Sequence, residues 1–152
     1  MTEIQRIVDQ LQRAFEGVAW HGPSVKEVLA GVTAEQAAAH PIEGAHSIWE
    51  LALHIATWER VGRRRIEESA PIEVSDAEDW PEVGDTSDEA WGIALEDLGK
   101  NHEMLREAVA RLDDARLGDI VPGTEYSVYF LLHGVIQHDL YHVGQIALLK
   151  RA

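Results

Sequence analysis

Apolar residues recur at three- and four-residue intervals over four long stretches of the chain, the period of helices that bury one face. The first stretch runs from Thr2 to about Ala19, with Ile4, Ile7, Val8, Leu11, Ala14, Phe15 and Val18 as its stripe. It breaks at Trp20-His21-Gly22-Pro23. Ser24 with Glu27, and Thr33 with Gln36, then repeat the capping-box spacing. They predict two short helices, one ending at Gly31 and one before Pro41. A second long helix is predicted from about Ala45 to Glu68, with Ser47 and Glu50 at the same spacing. Ile48, Trp49, Leu51, Leu53, Ile55 and Trp58 make it apolar around much of its circumference, so it should be deeply packed or touch more than one neighbour.

Residues 70–85 hold Pro71, Pro81 and Gly84 among many acids and read as a loop, with Trp80 as its anchor. The third long helix is predicted from about Ser87 to Leu112, behind an N-cap at Thr86 or Ser87. Its stripe is Trp91, Leu95, Leu98, His102, Leu105, Val109 and Leu112. Asp113 to Gly123 reads as a turn region, and the fourth helix as Ser127 to Lys150. No stretch reads as a strand and no internal repeat is visible. The expected fold class is all-α: a four-helix bundle with short extra helices between the first and second long helices, in a single domain over 1–152.

Composition narrows the chemistry. The chain has no cysteine, so disulfides, a thiolate nucleophile, Cys-ligated zinc and iron–sulfur clusters are excluded. Twenty-seven acids against 13 Lys and Arg give a net charge of -14, a poor surface for nucleic acid. The acidity is concentrated: between Arg65 and Lys100 there are 12 acids and no Lys or Arg. A segment of this kind, roughly 67–97, reads first as a solvated surface and second as an acidic rim around a site. No apolar run is long enough to span a membrane, and the charged N-terminus does not read as a secretory signal, so a cytoplasmic location is expected.

Candidate chemistry sits in the fourth helix. Its stripe reads Leu131, Val135, His138, His142, Gln145, Leu149, with two histidines and a glutamine in place of hydrophobes. Residues four apart share a helix face about 5–6 Å apart, a spacing at which two imidazoles can grip one ion. HDLYH shares the spacing of the zinc-protease HExxH motif, but Asp139 stands where that motif has the longer Glu. The second helix places a single His54 in the stripe Ser47, Leu51, His54, Trp58, Val61. Each set lies near the middle of its helix, so side-by-side packing brings all three imidazoles to a similar height. Three protein ligands leave positions open for water or substrate, the pattern of a catalytic metal site. Spacing alone leaves a metal site and hydrogen-bonded core histidines both open.

The other histidines fit such a site less well. His46 lies about 12 Å along the helix from His54, and His133 about 140° around the helix from His138. His102 reads as core, His40 as solvated and His21 as part of turn packing. Glu50, Glu59 and Asp139 are candidate partners for the histidines' second nitrogens. Gln145, one turn beyond His142, could contact a water at the site. Glu50, Asp139 and Gln145 are the candidate catalytic side chains. Tyr141, Trp49 and Trp58 read as packing residues. The Arg63–Arg65 run is the one compact basic group and suits a helix C-terminus.

Two blocks, SIWELALHIATWE around His54 and GVIQHDLYHVGQIALLKR at the C-terminus, resemble the DinB/YfiT-like family of metalloenzymes. The acidic loop with Trp80 and the helix with Trp91 are similar too, so the resemblance covers essentially the whole chain. It implies a DinB-like four-helix bundle of unusual connectivity, working as a homodimer. It also implies a divalent metal held by one histidine of the second long helix and two of the fourth, here His54, His138 and His142. Zinc or nickel would suit such a set, although three imidazoles do not identify the ion. The activities implied are thiol-dependent S-transfer and hydrolysis, on a small-molecule substrate or with a low-molecular-weight thiol. In a cysteine-free chain the sulfur would arrive with that thiol. The alternative expectation is a non-catalytic bundle that binds a metal or small ligand in a stress response.

Overall fold

Four long helices form over the four apolar stripes. The computed structural model describes all residues, Met1–Ala152. In chain order the helices are α1 (Glu3–Phe15), α2 (Val25–Leu29), α3 (Ala34–Ala38), α4 (Ile48–Glu67), α5 (Asp76–Asp79), α6 (Asp88–Ala110) and α7 (Val128–Leu149), with a 3-10 turn at Asp114–Gly118 before α7. There are no strands. The fold class is all-α, a helical bundle, as the periodicity predicts.

Capping explains where most helices begin. Thr2, Ser24, Ser47 and Ser75 each accept from the backbone three residues on, and the side chain there reaches back to the cap. Each such cap contributes about 1 kcal/mol. Thr33, Ser87 and Ser127 accept one bond without the reciprocal partner. Two expected boundaries move. The first helix stops at Phe15, not near Ala19, because Gly17 (φ 134°) and Val18 (φ 55°) turn the backbone out of the helical region. The second begins at Ile48, not Ala45, because Ser47 is its cap. The stretch 70–85 is not wholly a loop, since Ser75 and Glu78 cap the single turn α5.

Helix direction follows from pairs of touching residues. Trp49 meets Trp91, Glu59 meets His102 and the Gly62 backbone lies near Leu105, so α4 and α6 run parallel. His54 meets His142, Gly62 meets Val135 and Arg65 meets Tyr126, so α7 runs antiparallel to α4. Ile4 bonds to Asp114 and Phe15 stacks on His102, so α1 runs antiparallel to α6. Parallel neighbours need a connection that returns the length of the helix, roughly 30 Å for the twenty residues of α4. Residues 68–87 are that return strap. Their position along α4 is what brings Asp79 and Trp80 beside His54.

The core is divided. One apolar cluster joins the first half of α4 and α6 to the end of α7 and to α2 and α3. The other joins α1 to the second half of α6 and the first half of α7. Trp91 Nε1 anchors the first cluster by donating to the Val32 carbonyl at 2.9 Å. Near the level where the clusters meet, buried polar residues replace apolar ones: His54, Glu59, His102, Asp139 and His142.

Candidate metal centre

The helical periodicity that buries α4 and α7 also aims three imidazoles at one point. His54 Nε2 lies 3.0 Å from His138 Nε2, which lies 3.1 Å from His142 Nε2. A tetrahedral zinc ion with bonds of about 2.0–2.1 Å would set its nitrogens roughly 3.3 Å apart. All three nitrogens lie within 4.8 Å of one another.

The opposite ring nitrogens decide which tautomers are present. His54 Nδ1–H donates to the Asp79 carbonyl at 2.7 Å. His142 Nδ1–H donates to Gln145 Oε1. A neutral imidazole with a proton on Nδ1 has only a lone pair on Nε2. His54 and His142 therefore both present lone pairs to His138, and at most one of the two contacts can be a hydrogen bond. Burial pushes the pKa of all three histidines down, so protons do not relieve the convergence at neutral pH. A divalent cation does. The donor set fits such an ion: three neutral nitrogens and no competing carboxylate at the focus.

Trp80 forms the wall on the strap side. Its indole stacks on His54 at 3.8 Å and on His46 at 3.6 Å. Trp58 Nε1 donates to Asp79 Oδ1 at 2.7 Å, tying the same strap to α4. Part of the acidic segment thus covers the histidines, although most of its acids face solvent. His138 is the most open of the three, with its side chain 25% exposed, against 7% for His54.

Behind His138 lies a second polar group. Asp139 and Glu59 are fully buried with their carboxyls side by side, and Glu59 Oε1 is 3.1 Å from His102 Nδ1, while Glu59 Oε2 and both Asp139 oxygens have no hydrogen-bond partner. Burial raises Glu59 to about 7 and Asp139 well above the ordinary carboxylate range. Burial lowers His102 to about 4. The closest approach of Asp139 to His138 is 3.9 Å, to Nδ1.

The family model described as the DinB superfamily matches residues 19–146. The chain belongs to the DinB superfamily. No curated protein matches it, and no solved structure does. Membership and the buried histidine group together fit a metal-binding DinB protein.

The residues singled out in this DinB sequence separate clearly. His54, His138 and His142 come together. Glu50 does not join them: its carboxylate accepts from the Ser47 backbone at 2.6 Å and lies 3.1 Å from His40, which is therefore not simply solvated. Asp139 is sealed from the open side. Gln145 holds His142 and is not left free for a water. Tyr141 is 66% exposed, so the packing role expected for it against a neighbouring helix is not seen. His102 is core, stacked on Phe15 at 4.0 Å, and His133 faces Tyr129. His21 bonds to the Pro23 carbonyl within its own turn. Trp49 is core as expected, whereas Trp58 lines a cleft beside His138. The contribution of Asp79 was missed, because its carbonyl has no signature in residue type.

Proposed function

We propose that this DinB protein is a metal-dependent enzyme of the thiol-dependent S-transferase or hydrolase type. His54, His138 and His142 would hold one divalent cation, zinc or nickel. The observation that carries the reading is the pair of Nε2 lone pairs fixed toward His138 by the Asp79 carbonyl and Gln145. When bound, the ion supplies Lewis acidity and lowers the pKa of a thiol or water beside it. The chain's own groups set the stage. Asp79 and Gln145 hold two imidazoles in the ligand tautomer, which preserves their basicity. Trp80 excludes water from the strap side, and the exposed edge of His138 leaves the approach from the α4–α7 side.

A second reading is a bundle that holds a metal or small ligand without turnover. It is favoured by one observation: no carboxylate stands free on the open side, since Glu50 is tied into a helix cap and Asp139 is sealed.

Metal content by mass spectrometry, on the parent and on His54→Ala and His142→Ala, separates these readings from a purely structural bundle. One equivalent in the parent, lost in both variants, is expected. Thiol consumption with a small electrophile and ester hydrolysis are then compared with His142→Ala. Metal without turnover above that variant leaves the second reading, and absence of metal from every preparation sinks the enzyme and leaves only the small-ligand form of the second reading.

A further inference from the structure

A cleft of about 260 Å³ opens between α4 and α7, with His138 at one end and Arg65 at the other. Trp58, Phe130, Leu131 and Val135 wall it, so its surface is almost wholly apolar. The volume lies just under the ~300–1,000 Å³ range of drug-sized sites, which suits a small ligand.

Arg65 is the unusual member. Its neighbours on the helix, Arg63 and Arg64, pair with Glu67 and Glu68 at 2.8 and 2.7 Å. Arg65 instead donates from Nη1 to the Tyr126 hydroxyl at 2.7 Å and from Nη2 to the Ile72 carbonyl at 3.1 Å. Both acceptors are neutral, and no carboxylate lies within ion-pair distance. Its Nε–H is sealed from solvent without an acceptor. The guanidinium is thus rigidly held and part-buried, with the Trp58 ring face and two neutral oxygens as partners but no anion, in a chain of net charge -14. A charge so placed costs free energy unless something pairs with it.

The spacing to the histidines is short. The guanidinium carbon lies 5.5 Å from the Trp58 ring, whose centroid is 6.0 Å from the His138 ring. One indole therefore bridges the cation and the metal-binding imidazole. A flat or extended apolar group lying on Trp58 would reach both ends.

We propose that this cleft binds the substrate, and that the substrate is a small apolar carboxylic acid. Its carboxylate pairs with Arg65, its apolar body lies against Trp58 and Phe130, and its far end reaches the three histidines. One guanidinium carries one positive charge; two of its five donors are used and Nε–H is sealed, and the two that remain match a carboxylate better than a dianionic phosphate. The identity of the reacting end rests on the metal-dependent reading above, whereas the carboxylate contact does not.

The test compares 4-phenylbutyrate with the uncharged 4-phenylbutan-1-ol by titration calorimetry on zinc-loaded protein at pH 7. The acid is expected to bind about ten-fold tighter or better than the alcohol, the scale of one charge-assisted contact. Arg65→Gln should erase that preference and leave the alcohol's affinity in place, while Arg65→Lys should keep part of it. His142→Ala, which removes a metal ligand, should retain the preference. Gly134 lines the cleft with open space where its Cβ would be, so Gly134→Phe should fold and block both ligands. Equal affinities in the parent, or no binding of either ligand, would overturn the proposal. So would undiminished binding in Gly134→Phe. A preference that survives Arg65→Gln but disappears in His142→Ala would place the carboxylate on the ion and overturn it too. Failure of the parent to hold zinc would instead sink the metal-dependent reading and leave the Arg65 comparison intact.

Discussion

Two polar groups sit back to back across His138 and Asp139, and both contain buried histidines. In front, His54, His138 and His142 turn bare nitrogens toward one another. Behind, His102 faces Glu59, whose buried carboxyl adjoins that of Asp139. The front group lacks a positive charge, and the second nitrogens of His54 and His142 are held so that both turn lone pairs inward. The rear group carries acids that burial pushes toward neutrality, so its charge is removed by protons and not by an ion. Oxygens fix the second nitrogens of His54 and His142, whereas His138 Nδ1 and His102 Nε2 are both buried without a partner. What separates ligand from core is therefore the direction of the ring: His138 points its Nε2 at two other imidazoles, and His102 stacks on Phe15.

The largest expected effect comes from breaking the rear group. Asp139→Ala leaves Glu59 buried beside a void and should cost about 1–3 kcal/mol, the range for a buried polar group left without a partner. His142→Ala in metal-free protein should cost about 1 kcal/mol or less, because it also removes facing lone pairs. Chemical denaturation in chelator measures both, and equal losses would mean that the two groups do not differ in kind.

The next effect is pH dependence. The folded pKa of Glu59, about 7, lies above its ordinary 4.5. Its contribution to stability is complete below about pH 4.5 and is lost as the pH rises to about 7. His102, lowered from 6.5 to about 4, acts in the opposite sense: its contribution is present above 6.5 and is lost as the pH falls toward 4. Glu59→Gln should therefore gain on the parent between pH 4.5 and 7, by at most roughly 3 kcal/mol at 1.36 kcal/mol per pKa unit. A constant offset across that range would show that Glu59 does not titrate there.

The smallest effect tests how the front group is held. Gln145→Ala frees the His142 ring and should weaken zinc binding about 10–100-fold, the usual range for a residue that orients a ligand. Competition with a chromophoric chelator reads this directly. Unchanged affinity would mean that His142 is oriented by packing alone.

These particulars also show what the sequence could convey. The caps at Ser24, Thr33 and Ser47, the first and last of them full capping boxes, mark three helix starts, because a cap is a local bond between residues three apart. Ser75 and Glu78 have the same spacing, yet α5 was hidden by the acids and prolines around it. The histidines were legible as breaks in apolar stripes. The pairing of Glu59 with Asp139 was not, since the two lie 80 positions apart and meet only when α4 and α7 pack. Arg63–Arg65 read as one basic run, but successive helix residues point about 100° apart, and only Arg65 turns into the cleft.

The oxygen that orients His54 belongs to the main chain of Asp79, and every residue type carries one. A substitution at position 79 keeps that oxygen but removes the carboxylate that lies 3.2 Å from His54 Nδ1 and accepts from Trp58 Nε1, and removing a single strap residue would pull the carbonyl away by up to roughly 3.5 Å. What must be inherited here is the length of a connection together with its acid at 79, so the rest of this stretch can diverge in letters and still orient the same imidazole.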